Sequence, residues 1–517
     1  MSLDTDVGTA PEAPYDAGVA GDEDWVEAPA WDDGEVAAQR ERVRWIIDLV
    51  VVGLCVAFAL WHLQPDLLLR NTTPAGGDMG AHVWGPAYLR DHLLPHGQVT
   101  GWTPDWYAGF PAYQFYMVVP SLVIVALNAG IHGLGGLIPA VVGVAFIAVA
   151  VIRRHDQRVR RLAIAGAAVA LLLVGLPYGV AFKLVSVSGI ATLPIAAYAF
   201  GRLAGLRFPT PAVLAVGTLP YLFYRGYTIY GGNIASTLAG EFAFSMSLSL
   251  ALVYLGLVFK GLETGRYRAL AAITLALTGL CHLIPAFWAL GATAVVVAVR
   301  FRRSSSSGEL GYGLLALAAV LAMPAALQVA LSPLFDTRVT TLALIPLAFG
   351  VIVAAVALWV LSDSVRWLTP TLVVGGLLST WWVGPFYLRQ QYVNDMGWDK
   401  LPYYKADPPE TIWKYLLPRA TPDVDLRWAF ALALVGAGLA LALRLRAGIF
   451  LAVVTVGVGV AFVVVPEGRL WNGRLLPFYY LTAILLAFLG VSETMRTAMT
   501  AARAPDWTRD AHVRRTV

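Results

Sequence analysis

Apolar runs of eighteen or more residues recur along this chain, separated by short stretches in which arginines and aromatic residues gather. Coiled as a helix, a run of that length covers about 30 Å of hydrocarbon. The runs lie near 45–64, 134–152, 160–178, 183–203, 210–224, 242–260, 268–284, 286–300, 311–330, 341–361, 367–386, 428–446, 448–465 and 475–492. Residues 113–131 are also apolar, but they hold Pro120 and run into the glycine-rich "GIHGLGG". The pattern predicts an all-α polytopic membrane protein, a bundle of about 14 transmembrane helices with two larger outer loops, about 65–116 and 387–427.

Charge gives that bundle a direction. Arg40, Arg42 and Arg44 precede the first run, and "RRHDQRVRR" (153–161) is the most basic short loop. Cytoplasmic loops carry the excess of Lys and Arg. Placing 153–161 inside leaves room for one crossing after the 65–116 loop, so 113–131 reads as an interfacial or re-entrant piece. Were it one more ordinary span, the basic loop would lie outside. The later clusters "GRLAGLR", "FKGLETGRYR" and "RFRRSSSS" then all fall inside, as do Arg503, Arg509, Arg514 and Arg515 of the tail. The expectation is a multi-pass plasma-membrane protein with both termini cytoplasmic.

Residues 1–39 hold eleven Asp and Glu and neither Lys nor Arg. Such a segment buries too little apolar surface to order itself, and reads as a disordered acidic tail. It lacks the basic start and apolar core of a signal peptide. Residues 40–495 then form the transmembrane domain and 496–517 a cytoplasmic tail. Outside the acidic tail, 37 Lys and Arg face 22 Asp and Glu. Only 14% of the chain is charged against 58% hydrophobic, far from the roughly 25% charged of a soluble domain. The two cysteines, Cys55 and Cys281, both lie in apolar runs, which excludes a disulfide framework. No feature points to a nucleic-acid partner.

Candidate chemistry gathers on the outer side. "NTTPAGGDMGAHVW" (71–84) places Gly76 and Gly77 before Asp78, where a positive-φ turn brings a carboxylate close to a ligand. His82, four residues on, shares a helical face with Asp78. A metal held by that pair alone would be under-ligated, so no cofactor is required, and a divalent cation stays open as the alternative. "GWTPDWYAGFPAYQFY" (101–116) adds Asp105, Trp106 and Tyr113, which suit either an interfacial anchoring belt or a sugar-binding cleft. Glu241 opens the run at 242–260, as a helix-start acid or as a second polar group facing the Asp78 cavity. His282, inside "LTGLCHLIPAFWAL", is a functional candidate or a packing histidine. Lys183, Arg225, Arg389, Arg469 and Arg474 fall near outer span ends. The pair in "PEGRLWNGRLLPFYY" (466–480) suits phosphate, whose oxygens match guanidinium forks.

These features together resemble the GT-C superfamily of membrane glycosyltransferases: an outer carboxylate after the first span, interfacial aromatics, a polar loop before a mid-chain helix, and an Arg-Leu-Leu-Pro final helix. "GGDMGAH", "GWTPDWYAGFPAYQFY", "GGNIASTLAGEFAFS" and "WNGRLLPF" are similar to actinobacterial and archaeal membrane proteins labelled 6-pyruvoyl-tetrahydropterin-synthase-related. The resemblance spans most of 45–492. It implies an enzyme that moves a sugar from a polyprenyl-phosphate donor to an envelope glycan or lipid acceptor. Asp78 would be the general base and the arginines would hold the departing lipid phosphate. Asp78 is followed by Met79 where many GT-C members carry a second acid, and the helices around 134–178 look like an insertion. A transporter or flippase of a lipid-linked sugar, or a non-catalytic scaffold with this fold, are the alternatives.

Overall fold

The computed structural model describes residues 33–106, 108–153, 156–300, 311–312, 314–315, 317–323, 325, 341–393, 398–403, 408–418, 426–467 and 470–503. Residues through Ile46 and those from Ile47 onward form two units. In the first, the described residues are helical from Asp33; everything below concerns the second.

The main helices are α1 (Asp33–His62), α2 (Met79–Tyr88), α3 (Val119–Asn128), α4 (Leu137–Ile152), α5 (Gln157–Leu172), α6 (Tyr178–Leu203), α7 (Thr210–Leu222) and α8 (Phe242–Thr264). They continue as α9 (Arg268–Cys281), α10 (Leu283–Val299), α11 (Thr341–Leu361), α12 (Asp363–Leu388), α13 (Arg427–Ala442), α14 (Arg446–Val464) and α15 (Leu476–Arg503). One antiparallel hairpin, β1 (Gly101–Thr103) with β2 (Phe110–Ala112), interrupts the helices, pairing Trp102 with Pro111. Among the described residues eight helices are long and apolar enough to cross a membrane, and five apolar helices are shorter. The chain is an all-α membrane protein.

Local chemistry sets several helix ends. The Asp156 carboxylate accepts from the backbone N–H of Arg158 (3.0 Å) and Val159 (3.2 Å), capping α5. Gly265, at φ 71°, ends α8 in the left-handed conformation that glycine tolerates best. α3 is only ten residues long, about 15 Å, half the hydrocarbon thickness. That length fits the interfacial reading of 113–131.

α4 and α5 form a hairpin that packs chiefly on itself. It leaves and rejoins the rest of the fold at neighbouring points: Ile131 N–H donates to Leu173 O (2.8 Å) and Gly175 N–H to Ile131 O (2.9 Å). Gly130 and Gly175 allow this, since a β-carbon on Gly130 would lie 2.5 Å from Gly175 N. The hairpin's entry and exit points are therefore adjacent.

The centre of the fold is α8, packed against α6, α9, α10 and α12. Lipid tails are as apolar as leucine, so helices in a membrane associate through close packing of small residues and interhelical hydrogen bonds. α8 uses both. Ser249 Oγ donates to Gly189 O of α6 (3.1 Å), and Ser247 Oγ donates to Thr278 O of α9 (2.8 Å). At Gly189 the two backbones nearly touch: a β-carbon there would lie 2.5 Å from Met246 N. α15 packs on α7, α13 and α14, and Asn472 just before it fixes the outer chain. The Asn472 amide donates to Leu401 O (2.7 Å) and Phe462 O (3.0 Å) and accepts from Leu401 N–H (3.0 Å).

Because backbone rather than a flexible side chain opposes residue 189, Gly189→Ala must push α6 and α8 apart. A loss of about 1–3 kcal/mol is expected. It reads out as a lower thermal midpoint of the purified protein in detergent. Gly53→Ala, which meets nothing within 4 Å, should leave the midpoint unchanged or slightly raised.

Candidate functional site

The segment before α2 folds as its glycines demand. Gly76 and Gly77 have φ of 95° and 51°. A β-carbon on Gly77 would lie 2.3 Å from the carbonyl oxygen of Ala239, so only glycine lets these two loops meet. Asp78 N–H then donates to that same oxygen at 3.0 Å. From the other side Gly240, at φ 128°, also comes close: its β-carbon would stand 3.0 Å from Asp78 Cβ and 3.2 Å from His82 Nε2. The two loops interlock and bring Asp78 and Glu241 to the wall of one cavity.

That cavity measures about 410 Å³ and is lined by Asp78, His82, Glu241, His282 and Arg474 among aromatic and apolar side chains. Its volume falls within the roughly 300–1,000 Å³ of small-molecule sites. Arg474, one turn before α15, pairs with Glu241 at 2.5 Å and also reaches Tyr230 O at 3.5 Å. Among the described residues the Asp78 carboxylate carries no ion pair, and the residue is exposed to solvent. The cavity therefore presents one open carboxylate, one carboxylate neutralised by an arginine, and two histidines.

His82 follows Asp78 by one helical turn, with its N–H on Asp78 O (3.3 Å). Its ring meets the edge of Phe242 at 5.1 Å, and its Nε2 stands 3.5 Å from the Tyr116 hydroxyl. Burial pushes the His82 pKa down, partly offset by the Asp78 charge, which leaves the imidazole neutral at pH 7. Tyr116 keeps 36% of its surface open, into the cavity. Its hydroxyl lies deep among protein atoms, and that burial, with the Glu241 and Asp78 charges, holds its pKa well above the ordinary tyrosine value. It remains a neutral donor.

His282 has both a structural contact and a place in the cavity lining. It forms the tip between α9 and α10, where its Nδ1 accepts from Ile284 N–H at 3.2 Å and caps α10. It also lines the cavity, with its ring edge-on to Phe244 at 5.2 Å. Tyr113 is wall rather than ligand group: its hydroxyl donates to Ser121 Oγ (2.9 Å) and its carbonyl accepts from Trp382 Nε1 (2.9 Å). Trp106 lines the mouth beside Trp84, ring centroids 5.5 Å apart.

Other candidates fall elsewhere. Asp105 is exposed on the β1–β2 turn, with its N–H on Thr103 Oγ1 (3.2 Å), and does not line the cavity. Arg225 is exposed between α7 and α8, also outside it. Arg469 lies outside the described residues. Lys183 holds carbonyls of the preceding loop, Arg70 O at 2.7 Å and Leu67 O, while Arg389 donates to Gln114 Oε1 at 2.7 Å. Both are structural ties. Among the described residues no three His, Cys, Asp or Glu side chains gather as a metal site. The contribution of Tyr116 has no local sequence signal, since it reaches His82 across 34 residues.

The His82 environment sets a pH dependence. With its folded-state pKa below the ordinary 6.5, the unfolded chain takes up the proton first. Stability linked to this residue therefore falls as pH drops from 6.5 toward the lowered pKa. NMR of histidine-labelled protein should show one resonance, absent in His82→Gln, that titrates below 6.5. Asp78→Asn removes the charge that favours protonation and should lower that midpoint further. A midpoint at or above 6.5 would contradict the burial of the ring.

Comparison with protein-family models, with curated proteins and with solved structures returns no match. Function has to be read from the cavity itself.

Proposed function

We propose that the chain is a membrane glycosyltransferase that moves a sugar from a polyprenyl-phosphate donor to an envelope glycan or lipid acceptor. In this reading the chain crosses the plasma membrane about fourteen times, with both termini cytoplasmic and the Asp78 cavity on the outer face. The observation that carries it is the meeting of an open carboxylate, an arginine and aromatic walls in one cavity at the end of apolar helices. A lipid-linked donor needs those three things at one place: a base, a cation for phosphate, and ring faces for a sugar.

The roles follow from charge. Asp78 takes the proton of the acceptor hydroxyl as its oxygen attacks the anomeric carbon, and the bond from that carbon to the phosphate oxygen breaks. The lipid phosphate leaves with the bonding electrons, beside Arg474. Glu241 holds the Arg474 guanidinium in place until then. Attack from the face opposite the leaving phosphate inverts the anomeric centre. The polar groups gather at helix ends and loops rather than at mid-helix, which favours this reading over a flippase.

Protein reconstituted in nanodiscs, given a panel of polyprenyl-phosphate sugars and a glycan acceptor, should yield product by mass spectrometry. Asp78→Asn should lower turnover by about 10²–10⁴-fold while donor binding is retained. Transfer that survives in this variant would remove Asp78 as the base. Absence of transfer from every donor, with sugar-lipid flipping in its place, would overturn the glycosyltransferase reading.

A further inference from the structure

A second cavity, of about 540 Å³, lies at the other ends of the same helices. α8 runs from Phe242 in the first cavity to Glu263, and α10 from His282 in the first cavity to Arg300 in the second. α15 likewise runs from beside Arg474 to Glu493 and Arg496. Helices of those lengths separate the cavities by about 25–30 Å, close to the thickness of a bilayer's hydrocarbon.

The charged lining of this second cavity is Arg207, Arg300, Arg444, Arg446 and Arg496 against the single acid Glu493. Glu493 is already committed. It is 1% exposed, accepts from Arg496 Nε (2.8 Å) and Nη2 (2.5 Å), and takes the Thr210 hydroxyl at 2.9 Å. Arg300 donates to Ala204 O at 3.3 Å. Among the described residues Arg207, Arg444 and Arg446 carry no ion pair.

Backbone geometry adds a second observation. α6 ends in a turn where Leu206 N–H donates to Gly201 O (2.9 Å) and Gly205 N–H to Arg202 O (3.2 Å), with Gly205 at φ 86°. α13 ends in the same turn: Leu445 N–H donates to Ala440 O (2.8 Å) and Arg444 N–H to Leu441 O (3.2 Å). Here the left-handed position, φ 53°, is held by Arg444. Glycine is the usual occupant because a β-carbon is disfavoured there. An arginine needed only as surface charge could sit anywhere on the rim. At 444 it takes a strained left-handed position in the lining of a cavity that four other arginines also line, and strain of this kind marks functional positions.

We infer that this cavity binds a phosphate-bearing anion, and that its occupant is the headgroup of an anionic phospholipid in the leaflet at that end. Guanidinium forks match phosphate oxygens, and basic pockets between helix ends at the headgroup level suit lipids with one or two phosphates. This assignment is independent of the chemistry at Asp78.

The test uses full-length protein in neutral detergent, with lipid binding followed by native mass spectrometry and by the thermal midpoint. Cardiolipin, phosphatidylglycerol, phosphatidylcholine and inorganic phosphate are the probes. Wild type should bind and be stabilised by the two anionic lipids and not by phosphatidylcholine. Arg444→Gly should fold with an equal or higher midpoint before lipid is added, yet bind anionic lipid roughly tenfold more weakly. Arg207→Gln with Arg446→Gln should weaken binding similarly. Arg158→Gln with Arg161→Gln, on the exposed start of α5, should leave it unchanged. Equal binding by wild type and the cavity variants, or an equal loss in the α5 control, would overturn the site. If inorganic phosphate alone gave the whole arginine-dependent shift and lipid added nothing, the phosphate chemistry would hold and the lipid occupant would be overturned.

Discussion

The contact between Gly77 and the Ala239 carbonyl is the constraint on which the site depends. A gap too small for a β-carbon puts Asp78 N–H on that oxygen, and the same approach seats Gly240 against Asp78 and His82. Two carboxylates carried by distant segments then face one cavity. Arg474 pairs with one of them, Glu241. For a fully buried pair, loss of one partner costs about 3–5 kcal/mol. The cost is smaller here, because Arg474 and Glu241 side chains keep 20% and 16% of their surface. The pairing leaves Asp78 as the carboxylate open to a ligand, and so makes the two acids unequal in role.

That local lock would be useless on a mobile support. Its second half is the start of α8, and α8 is the most enclosed helix of the bundle, with 83% of its apolar window buried against 22% for the α4 region. The serines and glycines that let α6 and α9 approach α8 thus also fix Glu241. Ser247 makes the link explicit, since its hydroxyl reaches both Thr278 O and His282 O. One side chain ties the central helix to the tip of the α9–α10 hairpin, where His282 enters the cavity.

Much of this was legible in the chain and some was not, for physical reasons. Apolar runs located the helices because a long apolar run can satisfy its backbone within hydrocarbon only by coiling. Pro120 and the following glycines marked an interrupted segment, now the ten-residue α3. Asp78 with His82 was readable because helical spacing is local, and glycines before an acid announce a tight turn. The Glu241–Arg474 pair was not readable as a pair, because nothing near either residue specifies the other. Composition also misled. Asp105 and Arg225 shared the polar-aromatic loops with lining residues, yet both are exposed outside the cavity, a matter of backbone path rather than residue type. Lys183 shows the same limit, spending its charge on the loop carbonyls at Leu67 and Arg70.

The two ends of the bundle are built on opposite electrostatic plans. At the Asp78 end the arginine is matched by a carboxylate 2.5 Å away. At the other end five arginines face one committed acid. The two ends thus differ in charge balance, arginine being matched by a carboxylate at one and in excess at the other. The charges that place the helices in the membrane and those that form the second cavity are in part the same residues, Arg207, Arg300 and Arg446, each at the end of an apolar run.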